Sequence, residues 1–182
     1  MKKICVFCGS RLGSSVRYRE ATREFGAALA QAGIGLVYGG GRVGLMGALA
    51  DAVLSGGGYV TGIIPSFLAT SEITHPDLQT CHTVTDLFER KSMMLEIADA
   101  FVALPGGIGT LDELLEVVAW RQLRQLDKPI GLLDVDNFFS PWLAALRHSV
   151  EHGFADTREI EQLVVASDSA MLLARLLAVE KR

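Results

Sequence analysis

Two acids and an arginine carry the sequence's clearest chemistry. In ALPGGIGTLDELLEV, residues 103–117, a proline and three glycines stand just ahead of Asp112 and Glu113. A helix is predicted to begin near Ile108–Gly109. The first amides of a helix lack intrahelical partners, and its N-terminal end is partly positive, so bare backbone there suits an anion. A carboxylate one turn further in is placed to activate water, or to stabilise positive charge, beside a bound phosphate ester. The plain alternative is that both acids only complement the helix dipole, an effect of a few tenths of a kcal/mol. That accounts for the acids but not for the glycines. In DLFERKSMMLEIAD, residues 86–99, Arg90 falls on one helical face with Met93, Met94 and Ile97. An arginine on an apolar stripe is costly unless it meets an anion or snorkels to solvent. Lys91 projects beside it.

Those residues need a scaffold, and the chain supplies an alternating one. Apolar runs at 3–10, 34–41, 59–65, 100–107 and 128–135 read as strands, with weaker ones at 79–84 and 162–166. Between them, helical patterns cover 16–33, 43–58, 86–99 and 109–123, with two more at 140–153 and 168–179. Continuous apolar strands are those covered on both faces. Alternation with helices predicts a doubly wound parallel sheet, with ligands at the carboxyl ends of its strands. Three glycine turns fall there: Gly9–Ser10, Gly39–Gly41 and Gly106–Gly107. GGGRVG matches G-x-G-x-x-G, but no acid follows at the dinucleotide spacing and no P-loop lysine is present. The expectation is phosphate binding at helix starts near Gly44 and Gly109. Asp86 is the predicted N-cap of the Arg90 helix, with Glu89 completing a capping-box-like pair. In the next helix Glu113, Glu116 and Trp120 share a stripe, and Leu111, Leu114, Leu115 and Val118 are expected to face the core.

Composition bounds the rest. With 182 residues and 49% hydrophobic content, the chain is expected to form one domain over 1–182. A net charge of −4 gives no nucleic-acid-binding or membrane-binding surface. The apolar runs are too short to span a bilayer, and the N-terminus reads as no secretory signal, so the cytoplasm is the expected compartment. Cys5, Cys8 and Cys81 make no disulfide framework. Cys5 and Cys8 form a C-x-x-C inside a strand, where they point to opposite faces and are expected in the core.

CVFCGS, LVYGGGRVGLMGALADA, GIIP, ERK and PGGIGTLDE together resemble the LONELY GUY (LOG) family, cytokinin riboside 5′-monophosphate phosphoribohydrolases often mislabelled as lysine decarboxylases. The likeness runs from about Lys3 to Val135. It implies a Rossmann-like α/β fold, a homodimer, and hydrolysis of the N-glycosidic bond of a nucleoside 5′-monophosphate such as AMP or N6-prenyl-AMP. Products are free base and ribose 5-phosphate. Arg90 and Glu113 match the family's catalytic pair. Lys91 and the backbone at Gly107, Ile108, Gly109, Thr110, Leu111 and Asp112 match substrate-contacting positions, and Glu72 matches another by its spacing from Arg90. The glycine turns add Gly9, Ser10, Gly40 and Gly41, with Met46, to the expected substrate-binding set. No metal and no cofactor is expected. Leu87–Phe88 replace the family's Met-His, Ala119 stands where plant members have threonine, and Arg124–Gln125–Leu126 replace Gly-x-His. A nucleotide carrier or sensor without turnover is the competing reading. A pyridoxal-dependent decarboxylase is disfavoured, because no lysine sits in a convincing cofactor-binding context.

Overall fold

The computed structural model describes residues 2–70 and 73–179. Strands β1 (Lys3–Phe7), β2 (Gly35–Tyr38), β3 (Val60–Pro65), β4 (Thr80–Val84), β5 (Ala100–Ala103), β6 (Ile130–Leu133) and β7 (Leu163–Ala166) form one sheet in the order β4-β3-β2-β1-β5-β6-β7. Every pairing is parallel. Helices α1 (Val16–Gln31), α2 (Gly44–Ser55), α3 (Leu87–Ile97), α4 (Ile108–Gln122), α5 (Ser140–Glu151), α6 (Arg158–Glu161) and α7 (Ser169–Val179) complete the chain. The expected Rossmann-like sheet flanked by helices is what forms. The strand order reverses between β1 and β5, the switch point where such sheets bind ligands.

Alternation along β1 builds two cores. Ile4, Val6 and Cys8 join one apolar cluster with Phe25 of α1, Leu49 of α2 and Leu172 of α7. Cys5 and Phe7 face the other, with Met94 of α3, Leu114 of α4 and Leu143 of α5. The two cysteines of C-x-x-C therefore sit on opposite faces of the sheet, both buried. Burial, and after it the charge of Glu113, pushes both thiols up, so neither is a thiolate nucleophile.

Local signals set the helix ends. Asp86 Oδ1 accepts from the Phe88 and Glu89 amides. Glu89 reaches back to the amide and hydroxyl of Thr85, one residue beyond the N-cap amide that a reciprocal capping box would use. Leu115 is solvent-facing rather than in the core, and Val117 fills the inward position instead. At the end of α4 the Gln125 amide bonds the Trp120 carbonyl at 2.9 Å, the long bond of a Schellman turn, and Arg124 takes the left-handed position at φ 56°. This is where the LOG pattern has glycine. A side chain in that conformation costs about 1–2 kcal/mol, so Arg124→Gly is expected to stabilise the fold by about 1 kcal/mol, raising the melting temperature by roughly 2–4 °C.

Candidate active site

The site grows from the chain crossings at the switch point. The Gly9 amide donates to the Pro105 carbonyl at 3.1 Å, joining the turns after β1 and β5. The Gly9 carbonyl accepts from the Leu45 and Met46 amides at 3.0 and 3.3 Å. The start of α2 is thus closed by a protein carbonyl, so the expectation of an anion at both helix starts fails for α2. Gly44, at φ +62°, is needed because the Ser10 and Arg11 backbone runs against it.

The start of α4 is different. Gly107 is its N-cap, with no side-chain capping bond among the described residues. Gly107, Ile108 and Gly109 are exposed, and the Leu111 amide bonds the Gly107 carbonyl at 3.1 Å. The amides just before it are the ones a helix start leaves unpaired. The three glycines there divide by role. A Cβ on Gly106 would strike the Thr110 side chain and come within 2.9 Å of the Gly9 nitrogen. A Cβ on Gly107 or Gly109 would meet no described atom within 4 Å, and neither has a positive φ. Packing explains Gly106; neither packing nor backbone conformation explains the other two. Gly9, Ser10, Pro105, Gly107 and Ile108, with Tyr18 and Phe138, line an open cleft of about 470 Å³.

Behind this helix start lie the charged side chains. Arg90 Nη2 and Glu113 Oε1 are 3.1 Å apart, with side chains 15% and 12% exposed. The arginine on the apolar stripe meets its anion. Its guanidinium lies against Gly39, where any Cβ would collide with Nη2. Arg90 Nε is buried with no hydrogen-bond partner among the described residues. Lys91 Nζ contacts Glu116 Oε2 at 2.7 Å and Asp112 Oδ2 at 3.2 Å, and lies 5.9 Å from the Phe88 ring centroid. Burial raises the Glu113 carboxyl above the ordinary glutamate value. Arg90 opposes that rise, Asp112 adds to it, Lys91 opposes it and Glu116 adds again. The Glu116 hydrogen bond holds Lys91 above its ordinary value, with partial burial opposing and Asp112 assisting. A protonated, doubly paired amine is a poor aldimine former.

Gly40, Gly41 and Met46 lie deeper than expected. Gly40 accepts from the His75 amide at 2.9 Å, Gly41 bridges to Thr74 and accepts from the Tyr38 hydroxyl, and Met46 sits against Gly41. These glycines anchor the segment between β3 and β4. Glu72 lies outside the described residues. Sequence reading missed His75, which is buried, with Nε2 3.1 Å from Asp51 Oδ1 and Nδ1 accepting from the Asp77 amide. A histidine followed by Pro76 and Asp77 was its only local signal. The structure thus gathers Arg90, Lys91, Asp112 and Glu113 behind the α4 start, with Gly9 and Ser10 in the adjoining cleft.

A doubly wound parallel sheet with a nearly buried arginine–carboxylate pair beside an open helix start defines a Rossmann-like α/β protein with a candidate hydrolytic centre. The family model described as "Possible lysine decarboxylase" matches residues 46–176. The chain is 45% identical over 176 residues to cytokinin riboside 5′-monophosphate phosphoribohydrolase LOG1 of Arabidopsis thaliana, covering 97% of this chain and 82% of that protein. It is 44% identical over 169 residues to cytokinin riboside 5′-monophosphate phosphoribohydrolase LOG of Oryza sativa subsp. japonica, covering 93% and 69%. It belongs to the LOG family. The fold is shared with the molybdenum cofactor carrier protein of Chlamydomonas reinhardtii at a TM-score of 0.75 and 20% identity, over 100% of this chain and 99% of that one.

Proposed function

We propose that this chain hydrolyses the N-glycosidic bond of nucleoside 5′-monophosphates, releasing N6-substituted adenine from cytokinin riboside 5′-monophosphates, or adenine from AMP, together with ribose 5-phosphate. The observation that carries the reading is the Arg90–Glu113 pair, 3.1 Å apart and nearly buried, behind a helix start whose open glycines the chain itself does not require. Glycosidic cleavage passes through an oxocarbenium-like sugar. In this reading the phosphate docks on the amides at Gly109 and Thr110, and that remote contact positions the reacting bond. The Glu113 carboxylate stabilises the developing cation at C1′ and orients a water towards it. As water adds to C1′, its proton passes to Glu113, while the C–N bonding pair leaves with the base, which takes up a proton from solvent; Glu113 then returns its proton to solvent, so the site is restored. Arg90 keeps Glu113 ionised and oriented, and Lys91 supplies further positive charge near the phosphate. The reading includes a homodimer and a cytoplasmic setting. Among the described residues no helix is long and apolar enough to cross a membrane.

The test is incubation with isopentenyladenosine monophosphate and with AMP, followed by chromatography for free base. Release of base from either supports the reading; tight nucleotide binding with no release is the carrier outcome and overturns it.

Two expectations follow from the geometry. Gly107→Ala and Gly109→Ala put methyl groups where the phosphate would approach, in space that no described protein atom fills. KM is expected to rise about tenfold, a loss of roughly 1.4 kcal/mol of binding. The fold is expected to hold, and at Gly109 to gain about 0.5–1 kcal/mol from replacing a helical glycine. Thermal melts beside steady-state kinetics separate the two effects.

The second expectation concerns pH. Burial lifts the Glu113 carboxyl, and the reaction needs it ionised, so the acid limb of kcat should lie above the ordinary glutamate value of about 4.3. Arg90 opposes the lift. Removing its charge in Arg90→Met should therefore move the limb to still higher pH, whereas the substrate phosphate's own ionisation is unchanged. A limb that stays in place would separate Glu113 from the titration.

A further inference from the structure

The last turn of α5 carries a cluster with no part in the proposed chemistry. HSVEH, residues 148–152, puts His148 and His152 one helical turn apart with Glu151 between them. All three are exposed, and one ligand atom from each lies within 4.8 Å of the others. The two imidazole centroids are 4.1 Å apart. Glu151 Oε2 is 4.0 Å from His148 Nδ1. None of the three lines the cleft at the switch point or the pocket beside Glu113.

We propose that His148, Glu151 and His152 form a surface site for a divalent first-row transition ion with borderline ligand preference, for which zinc is the probe. Three features of the helix end support it. His152 Nδ1 lies 2.9 Å from the His148 carbonyl, where as N–H it donates. That leaves Nε2 with its lone pair free, and metal-ligating histidines are commonly oriented by this kind of carbonyl contact. Zinc binds imidazole nitrogen and carboxylate oxygen at about 2.0–2.2 Å, so its ligands must converge to within roughly 4 Å of one another. Exposed side chains one turn apart reach that by small rotations, with no packed neighbour to displace. The site also lies at the C-terminal end of α5, where the helix dipole favours positive charge. Two imidazoles and one carboxylate select zinc, nickel or copper over magnesium and calcium, and three protein ligands leave positions open to water.

The experiment is a calorimetric titration of the full chain with zinc chloride, with cobalt substitution to read coordination from its visible absorption. The expected result is one saturable ion per chain, with magnesium giving none. Removing an outer-shell partner of a metal ligand already costs about 10–100-fold in affinity. His148→Ala and His152→Ala should each cost at least that much, and Glu151→Gln should weaken binding less. Glycosidic hydrolysis should be unchanged in all three variants, and thermal melts confirm that these surface changes leave the fold intact. Cys81 and His82 of β4 are also exposed and, on opposite faces of the strand, each offers zinc a single competing ligand. Binding that survives in the His148→Ala/His152→Ala double variant places the ion there or elsewhere and overturns the proposal. So does a wild-type titration with no saturable binding.

Discussion

Glu113→Gln is expected to lower kcat by about 10²–10⁴-fold, the range a positioned acid–base group contributes, while KM and the melting temperature change little. Glutamine keeps the shape and an oxygen for Arg90 Nη2, now 3.1 Å away. In the proposed mechanism it removes the negative charge that faces the developing cation and the site that accepts the water's proton. In the proposed reading the phosphate docks on the amides of α4, which this substitution leaves untouched, so ground-state binding should survive. The fold should survive as well. Burial raises the Glu113 carboxyl, so its contribution to stability is fully present below the unfolded glutamate value and is lost as pH rises through the raised one. Above the raised value the ionised acid, even paired with Arg90, opposes folding, and glutamine removes that opposition while leaving the arginine a neutral partner. Single-turnover release of base, with melts on the same samples, measures both. A variant that releases base at the wild-type rate would falsify the assignment of Glu113.

Gly44→Ala is expected to be the most damaging single methyl in the chain. Its φ of +62° places any side chain in the left-handed region, which costs about 1–2 kcal/mol. The new Cβ would also run into the Ser10 and Arg11 backbone, which cannot rotate away as a side chain could. Overpacking of this kind adds roughly 1–3 kcal/mol. The next two amides hold the Gly9 carbonyl, and the Gly9 amide holds Pro105, so displacement at Gly44 passes to both sides of the cleft. Activity should fall along with stability. Gly57→Ala is the matched control: φ is +74°, but no described atom lies within 4 Å of the added carbon. Urea denaturation of the two variants isolates the collision. Equal losses would show that the Ser10–Arg11 backbone yields freely.

The layout was readable from the sequence because its signals are local and repeated. Apolar strands alternate with helices, and glycine turns end β1, β2 and β5. The splitting of Cys5 and Cys8 between two cores follows from the period of a strand alone. The Arg90–Glu113 contact was half readable: an arginine on an apolar stripe demands an anion, but only the packing of α3 beside α4 chooses which one. The role of Gly9 was not readable. Its carbonyl fills the start of α2, a partnership between residues far apart in the chain, and GGGRVG looks the same whether its amides face a ligand or a neighbouring loop. Leu115 was misplaced because either it or Val117 completes an inward stripe, and the strands beneath decide between them. The four-residue α6 is too short to leave a periodic trace. The left-handed Arg124 carries no residue signal, since that position calls for glycine and holds arginine.

The sheet order has a kinetic consequence. β1 lies at the centre, and its partner β5 pairs Ile4 with Ala100, so this contact closes a far longer loop than any other pairing in the sheet. Long-range closure is the entropically slow part of folding. The Gly9–Pro105 bond crosses that seam, and the meeting of α3, packed on β2 to β4, with α4, packed on β1 and β5, depends on it as well. During synthesis the residues up to Val84 can assemble β1 to β4 while the cleft does not yet exist. Catalytic competence should therefore appear late and abruptly in refolding, tracking the docking of β5 rather than the early gain of helix.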